Sequence, residues 1–296
     1  MFAGVELGGT KCICILGSGP DDIRDQVAVP TTTPDETLGA IAAILGGWDF
    51  RALGIAGFGP LQLDPAAPDY GCVVNSPKRS WNGANLLTLA GDKPCTLDTD
   101  VNGAALAEGH WGAAQGLDCW AYITVGTGIG VGSISGRQPL RGLAHSEAGH
   151  QRVPRLTDDR FAGICAFHGD CVEGMASGPA IEARAKRKGS DVAPDDPAWG
   201  FAAHAIAMLC HNLVLTSLPQ RILIGGGVAT GQPQLLGDIR ARLVESLAGY
   251  AGAVLVADVI DNFLQPPGLG SRAGPLGALA LAQGASCAPS ADGRPK

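Results

Sequence analysis

Short apolar blocks broken by glycine turns open the chain. FAGVEL, GGTK and CICILG read as strand, turn and strand. In PDETLGAIAAILGGW the period changes, and apolar residues recur at helical spacing behind Asp35 and Glu36 near the helix start. ALGIAGFG is a buried strand, and CTLDTDVNGAALAEGHWGAA runs from a strand through a polar turn into an Ala-rich helix. The opening theme then returns: WAYITVGTGIGVGSISG is again strand, Gly-Thr-Gly turn, strand. Two such units heading two halves point to a duplicated α/β architecture. Further on, GPAIEARAKRKG is helical, FAAHAIAMLCHNLVLTSLP reads as a buried helix, and RILIGGGVA is a strand ending in glycines before another helix. After Gly284 the chain becomes polar and Pro-rich, which reads as a frayed tail.

At 296 residues the chain is long for one core, so two domains or lobes are expected. Hydrophobic residues at 46% against 17% charged suffice for a large buried core. A net charge of −7 argues against a nucleic-acid surface, which needs a basic patch. Met1 leads straight into a strand-like segment, so no signal peptide is expected, and no uninterrupted apolar run is long enough to span a bilayer. The nine cysteines are scattered among apolar segments, which fits free thiols in a reducing cytoplasm. Cys12 and Cys14, alternating with Ile13 and Ile15, read as packing residues.

The chemistry is densest between His145 and Gly174. Cys165-x-x-His168-x-x-Cys171 supplies three ligands at close spacing, and His150 offers a fourth. Such a Cys2His2 set suits tetrahedral Zn2+ with no open position, a structural site that pins a loop. Glu147 and Glu173 flank the ligands and would be drawn toward one place. Three glycine turns follow apolar strands: Gly8-Gly9-Thr10-Lys11, Gly126-Thr127-Gly128 and Gly225-Gly226-Gly227. Each can present N–H groups to phosphate oxygens, although a plain hairpin turn has the same composition. Neither a Walker A nor a GxGxxG pattern fits them. Asp98-Thr99-Asp100-Val101-Asn102 stands between strand and helix, where a carboxylate could take a proton from an attacking hydroxyl. Equally, Asp100 or Asn102 could simply cap the helix.

ELGGTK, LDTDVNGAALAE, TVGTGIGVG, EAGH with CAFHGDCVEG, and LIGGGV stand in the order found in the ROK family of bacterial sugar kinases, which this chain resembles over nearly its whole length. GFGPL, NSPKRSW, SGPAIEAR and PPGLGSRAG are similar to the fructokinase branch of that family. The resemblance implies a duplicated actin-like, ribonuclease H-like fold of two lobes about a central cleft. It implies a small lobe over residues 1–112, with a helix at about 275–285 packing back on it, and a large lobe over 113–274 containing a zinc loop at 145–174. Residues 286–296 would be a polar tail.

By the same resemblance Asp100 is the catalytic base. Gly8, Gly9, Thr10 and Lys11 form one phosphate segment and Gly126, Thr127 and Gly128 the other, while Gly225, Gly226 and Gly227 meet adenosine. Glu147 and Glu173 bind sugar hydroxyls. His150 binds zinc and lies beside the sugar, with Cys165, His168 and Cys171 completing the metal site. Thr99 stands where many glucose and hexosamine kinases of the family carry Asn, which alters a sugar contact and points away from glucose. Glu6 stands where many members have Asp, which leaves open its part in organising Mg2+.

His204 and His211 on one apolar helical face read as buried core residues, His110-Trp111 as a packed helix end, and Lys186 to Lys188 as a solvated helix end. The expectation is a cytoplasmic, ATP- and Mg2+-dependent fructokinase with structural Zn2+, acting as a homodimer, with no nucleic-acid or membrane partner. Mannokinase or glucokinase activity is the nearer alternative. A sugar-responsive ROK regulator is the alternative of another class, disfavoured because the first phosphate strand begins too early to leave room for a helix-turn-helix segment.

Overall fold

Strand pairing repeats almost element for element between two sheets. The computed structural model describes residues 1–250 and 252–287, and the side chains of 253, 286 and 287 are not described. The first sheet contains β1 (Phe2–Leu7), β2 (Lys11–Gly19), β3 (Asp22–Pro30), β4 (Leu53–Gly57) and β5 (Cys95–Thr99) in the order β3-β2-β1-β4-β5. β1, β2 and β3 are antiparallel neighbours, whereas β4 pairs parallel with both β1 and β5. Helix α1 (Pro34–Gly46) follows β3, and α2 (Asp100–Trp111) follows β5 without a break. The second sheet contains β6 (Trp120–Val125), β7 (Ile129–Ser135), β8 (Gln138–Pro139), β9 (Ile222–Gly225) and β10 (Leu264–Gln265), ordered β10-β9-β6-β7-β8. Its antiparallel and parallel pairings match those of the first. This is the duplication that the two strand–glycine–strand signals anticipated.

The chain divides into two compact units. The first holds Met1–Gly112, Arg141–His145 and the chain from Arg272 onward, and the second holds Ala113–Leu140 and Ser146–Ser271. Two boundaries differ from the sequence reading. Arg141–His145 belongs to the first unit because Arg141 pairs with Asp98 and the His145 Nε2 accepts from the Leu61 amide at 3.0 Å. The last helix spans Ala273–Cys287, so Ser286 and Cys287 are helical rather than tail, and the remainder of the expected tail lies outside the described residues.

In the first unit, Val5, Leu7, Ile55 and Leu97 from the sheet pack with Ile41, Trp81 and Leu86. Burying each aliphatic side chain of this kind contributes roughly 1.5–3 kcal/mol. Trp81 is almost fully enclosed, and its indole N–H donates to the Thr32 carbonyl at 3.0 Å, so its one polar group is satisfied. α1 starts at Thr33, whose hydroxyl accepts from the Glu36 amide, and Pro34 occupies the first turn, where a missing N–H costs nothing. The last helix lies on β1 and β4 and against α2, with Ala278 and Leu281 meeting Ala56. β3 was not expected from its sequence: DIRDQVAVP is polar and mostly exposed, and its strand form comes from pairing with β2.

The second core is built on α5 (Pro197–Ser217), which packs against α7 (Gln234–Leu247) and against α3 (Val172–Ala176) and α4 (Gly178–Ala185). By length and composition α5 is also the one described helix apolar enough to cross a membrane. Its Ala202, Ile206, Leu209, Cys210 and Leu213 are instead buried among β6, β9 and α7 side chains. His204 and His211 are half-buried rather than core residues: the His204 Nε2 meets the Pro154 carbonyl at 2.9 Å, and the His211 Nδ1 meets the Ser246 hydroxyl at 2.7 Å. α4 ends at Ala185 with Lys186 in the left-handed region, so the run Lys186–Lys188 is exposed beyond the helix.

Candidate active site and metal centre

Parallel register in the first sheet lines up Glu6, Ala56 and Asp98 across β1, β4 and β5, one residue before the strands end. The next line is Leu7, Gly57 and Thr99, after which α2 begins at Asp100. Thr99 is the helix cap, its hydroxyl accepting from the Asn102 amide at 3.2 Å. Neither Asp100 nor Asn102 takes that role. Asp100 is the first helical residue, its Oδ1 accepting from the Val101 amide at 2.9 Å, and the Asn102 side-chain amide donates to the Asp98 Oδ1 at 2.8 Å. Asp98 is buried; the Thr99 amide also donates to its Oδ1 at 2.7 Å, and Arg141 pairs with its Oδ2. This brace was not foreseen, and nothing local to Arg141 in the sequence could have revealed it.

Glu6 is strongly perturbed. Burial, and then the charge of Asp100, raise its carboxyl from the usual value near 4.5 to about 7, opposed by Lys11. Room for this carboxylate depends on Gly274 in the first turn of the last helix, where a Cβ would lie 1.9 Å from the Glu6 Oε1. The Gly8–Lys11 turn closes the β1–β2 hairpin through the Gly8 amide and the Lys11 carbonyl at 3.1 Å. The Thr31 hydroxyl donates to the Gly8 carbonyl at 2.8 Å, and Gly9, Thr10 and Lys11 are exposed.

The second unit gathers the other two glycine turns, the two outer glutamates and the Cys/His cluster. Gly126–Gly128 links β6 to β7, and the Gly126 carbonyl accepts from the first amide of α4, that of Gly178, at 2.8 Å. Gly226, at φ 92°, begins α6 (Gly227–Gly231) so close to Val125 that a Cβ would lie 2.4 Å from the Val125 carbonyl oxygen. The two turns are therefore neighbours. The Glu147–His150 turn crosses the start of β7 at Gly149, where a Cβ would fall 1.7 Å from the Ile129 carbonyl. Beside it, the Glu173 Oε2 accepts from the Ile129 amide at 3.1 Å, while its Oε1 lies 3.9 Å from the His150 Nε2. Glu147 is exposed.

The His150, Cys165, His168 and Cys171 ligand atoms all lie within 4.8 Å of one another. The His150 Nδ1 is 3.5 Å from both the Cys165 and Cys171 sulfurs, and the His168 Nδ1 is 3.7 Å from the Cys165 Sγ. A tetrahedral ion with zinc-like bond lengths has ligand–ligand edges of about 3.6 Å, so the set fits such an ion. Burial pushes the Cys171 thiol up to about 11. The ligand loop is fixed from outside: the Gln151 carbonyl accepts from the Val172 amide at 2.9 Å and its side chain from Asn212 at 2.8 Å. Farther along, Arg184 is sandwiched between Phe161 and Phe201, each ring centroid 4.5 Å away, and grips Asp159 at 2.7 and 3.1 Å.

Residues 2–285 match the ROK family. The chain is 40% identical to the fructokinase of Zymomonas mobilis subsp. mobilis, over 95% of this chain and 96% of the relative. It is 36% identical to the fructokinase of Pediococcus pentosaceus, over 96% and 98% respectively. A solved ROK family glucokinase from Streptomyces griseus, in complex with glucose and AMPPNP, superimposes with a TM-score of 0.76 at 26% identity, covering 96% of this chain and 99% of that one.

The raised Glu6 carboxyl has a thermodynamic signature. An acid whose folded pKa exceeds its unfolded value binds more protons when folded, so its contribution to stability is complete below about 4.5 and is lost as pH rises through about 7. Glu6→Gln removes that titration. In nucleotide- and Mg2+-free buffer, the stability of Glu6→Gln relative to wild type should therefore climb between about pH 5 and about pH 8 in denaturant titrations. A difference independent of pH would show that Glu6 ionises normally.

Proposed function

The chain belongs to the ROK family and carries that family's actin-like ATPase fold, and on this premise we propose that it transfers the γ-phosphoryl group of ATP to a hexose, chiefly D-fructose to give fructose 6-phosphate. The observation that carries the sugar is the 36–40% identity to proteins named fructokinase over almost the whole chain, against 26% for the glucokinase of known structure. In this reading Asp100, presented at the start of α2 on a braced turn, accepts the proton as the sugar hydroxyl attacks phosphorus. Glu147, Glu173 and His150 take sugar hydroxyls, and Thr99 contributes a further sugar contact. The Gly8–Lys11 and Gly126–Gly128 turns direct amides at phosphate oxygens, and Gly225–Gly227 let the backbone approach adenosine. Mg2+ carried by ATP supplies charge neutralisation on the phosphates. The setting is the cytoplasm and the assembly a homodimer.

The Cys/His cluster supports a structural Zn2+ in the same account. His150 would bind through Nδ1, leaving Nε2 on the Glu173 side. Cys171 is both a ligand and the cap of α3, since its sulfur accepts from the Gly174 amide. Its replacement therefore touches the metal and the helix bearing Glu173 together.

Substrate choice is tested by coupled ADP release across a hexose panel. Buried groups built for one hydroxyl arrangement reject a sugar that leaves them unpaired. The kcat/KM for fructose should exceed that for glucose and N-acetylhexosamines by at least ~10-fold, which needs only about 1.4 kcal/mol, with mannose second. A preference for glucose would overturn the fructose assignment and leave the hexose kinase reading standing.

Asp100→Asn keeps the shape and removes the base. Its turnover should fall by ~10²–10⁴-fold while ATP and sugar affinities stay near wild type. Turnover near wild type in the folded variant would refute the role.

For the metal, wild-type protein should contain about one zinc per chain by elemental analysis, and Cys171→Ser should lose both the metal and thermal stability. Fully active wild-type protein free of zinc would remove the ion from the account.

A further inference from the structure

Arg141 lies 43 residues from Asp98 in sequence, yet its guanidinium meets that buried carboxylate. We propose that Arg141 is a positioning residue for phosphoryl transfer, holding the Asp98–Asp100 turn in its reactive geometry; the inference rests on the reading of Asp100 as the base. The Asp98 side chain is 1% exposed, and a carboxylate so enclosed is stable only when paired and hydrogen-bonded. Its two oxygens divide the work. Oδ1 accepts from the Thr99 amide and the Asn102 side chain, tying the end of β5 to the first turn of α2, and Oδ2 takes Arg141. Asp100 stands at the junction of those two elements. A shift in how Asp98 is held therefore passes to Asp100 through two peptide units.

The mounting of Arg141 also differs from that of a surface ion pair. It is carried on the Arg141–His145 strap, which pairs with itself through an Arg141–His145 bridge and is fastened at its far end where the His145 Nε2 accepts from the Leu61 amide. The guanidinium is thus held at the chain end and at the carboxylate end. Arg137 with Asp118 supplies the contrast: both side chains are more than half exposed, and such pairs contribute little. Removing Arg141 would leave Asp98 buried without its counter-charge. The turn would then have to relax toward solvent or another donor. A misplacement of about 1 Å at a reacting group can cost ~10² in rate while leaving binding groups untouched.

The experiment compares Arg141→Gln, Arg141→Lys, Asp98→Asn and the Asp98→Asn/Arg141→Gln double variant, with Arg137→Gln as the control. ATP-dependent turnover of the best hexose is measured beside the direct affinity for ATP and sugar. Arg141→Gln and Asp98→Asn should each lower kcat by roughly 10²-fold with affinities unchanged. The double variant should lose no more than either single one, because both act through one turn. Arg141→Lys, keeping the charge without the planar fork, should recover part of the rate, and it carries the test if Arg141→Gln does not fold. Arg137→Gln should turn over at the wild-type rate. Unchanged kcat in Arg141→Gln, losses that multiply in the double variant, or a wild-type rate in Arg141→Lys when Arg141→Gln is unfolded would each overturn the inference. A wild-type protein that phosphorylates no hexose would remove the kinase reading itself, whereas an active wild type with an indifferent Arg141→Gln removes this inference alone.

Discussion

The parallel register of β1, β4 and β5 is the constraint on which the first unit depends. It places Glu6, Ala56 and Asp98 in one line, and it makes β5 end where α2 must begin. A slip of one residue would turn every side chain of a strand to the opposite face, exchanging buried carboxylates for the aliphatic groups beside them. Small Ala56 between the two acids, packed under Ala278 of the last helix, keeps that line narrow enough for the helix to lie on it. The second sheet uses the same pairing plan to bring the Gly126–Gly128 turn beside the Gly225–Gly227 turn. One architecture thereby supplies two sets of strand ends, and the distinctive chemistry of each unit is grafted onto those ends.

Carboxylates removed from water have to be stabilised somehow, and this protein does so in two ways. Glu6 lacks a strong enough cationic partner, and burial together with Asp100 shifts it toward the protonated form near neutrality. Asp98 is held instead by a guanidinium and two N–H donors. Asp159 follows the second pattern: Arg184 and the Phe161 amide hold its carboxyl below the ordinary range despite burial. The difference matters for chemistry. A carboxylate that titrates near neutrality responds to its surroundings, whereas one locked to arginine acts as a fixed strut. Each unit carries such a strut, Asp98 with Arg141 and Asp159 with Arg184, and the titrating group lies within electrostatic reach of the proposed base.

The Cys/His loop illustrates how a segment with little regular structure becomes rigid. Between Gln151 and Asp170 there is no named strand or helix, and backbone pairing amounts to a few bonds, among them the Cys165–Gly169 pair and the Ile164 amide on the Gly174 carbonyl. Side chains add to these from outside, through Asn212 on α5 and through Arg184 on α4 with its two phenyl faces. Ligand atoms of residues up to 21 positions apart then converge to within 4.8 Å. Glu173, in the first turn of α3 and bonded to the Ile129 amide, transmits that order to the second glycine turn.

The sequence by itself determined the two strand–glycine–strand hairpins, the helices α1, α2 and α5, and the residues of the Cys/His cluster. Alternation, helical period, glycine turns and ligand spacing are local signals, readable over a few residues. It did not reveal β3, whose polar residues become a strand only because β2 offers them hydrogen-bond partners. It left the cap of α2 undecided among Asp100 and Asn102, whereas in the structure Thr99 caps the helix, its hydroxyl accepting from the Asn102 amide while the Asn102 side chain donates to Asp98. The same structure moved Arg141–His145 into the first unit and made Arg141 the partner of a buried acid. The placing of Arg141 rests on a contact between residues 43 apart in the chain, whose energy depends on burial and mutual orientation. Neither quantity exists until the sheet has closed around them.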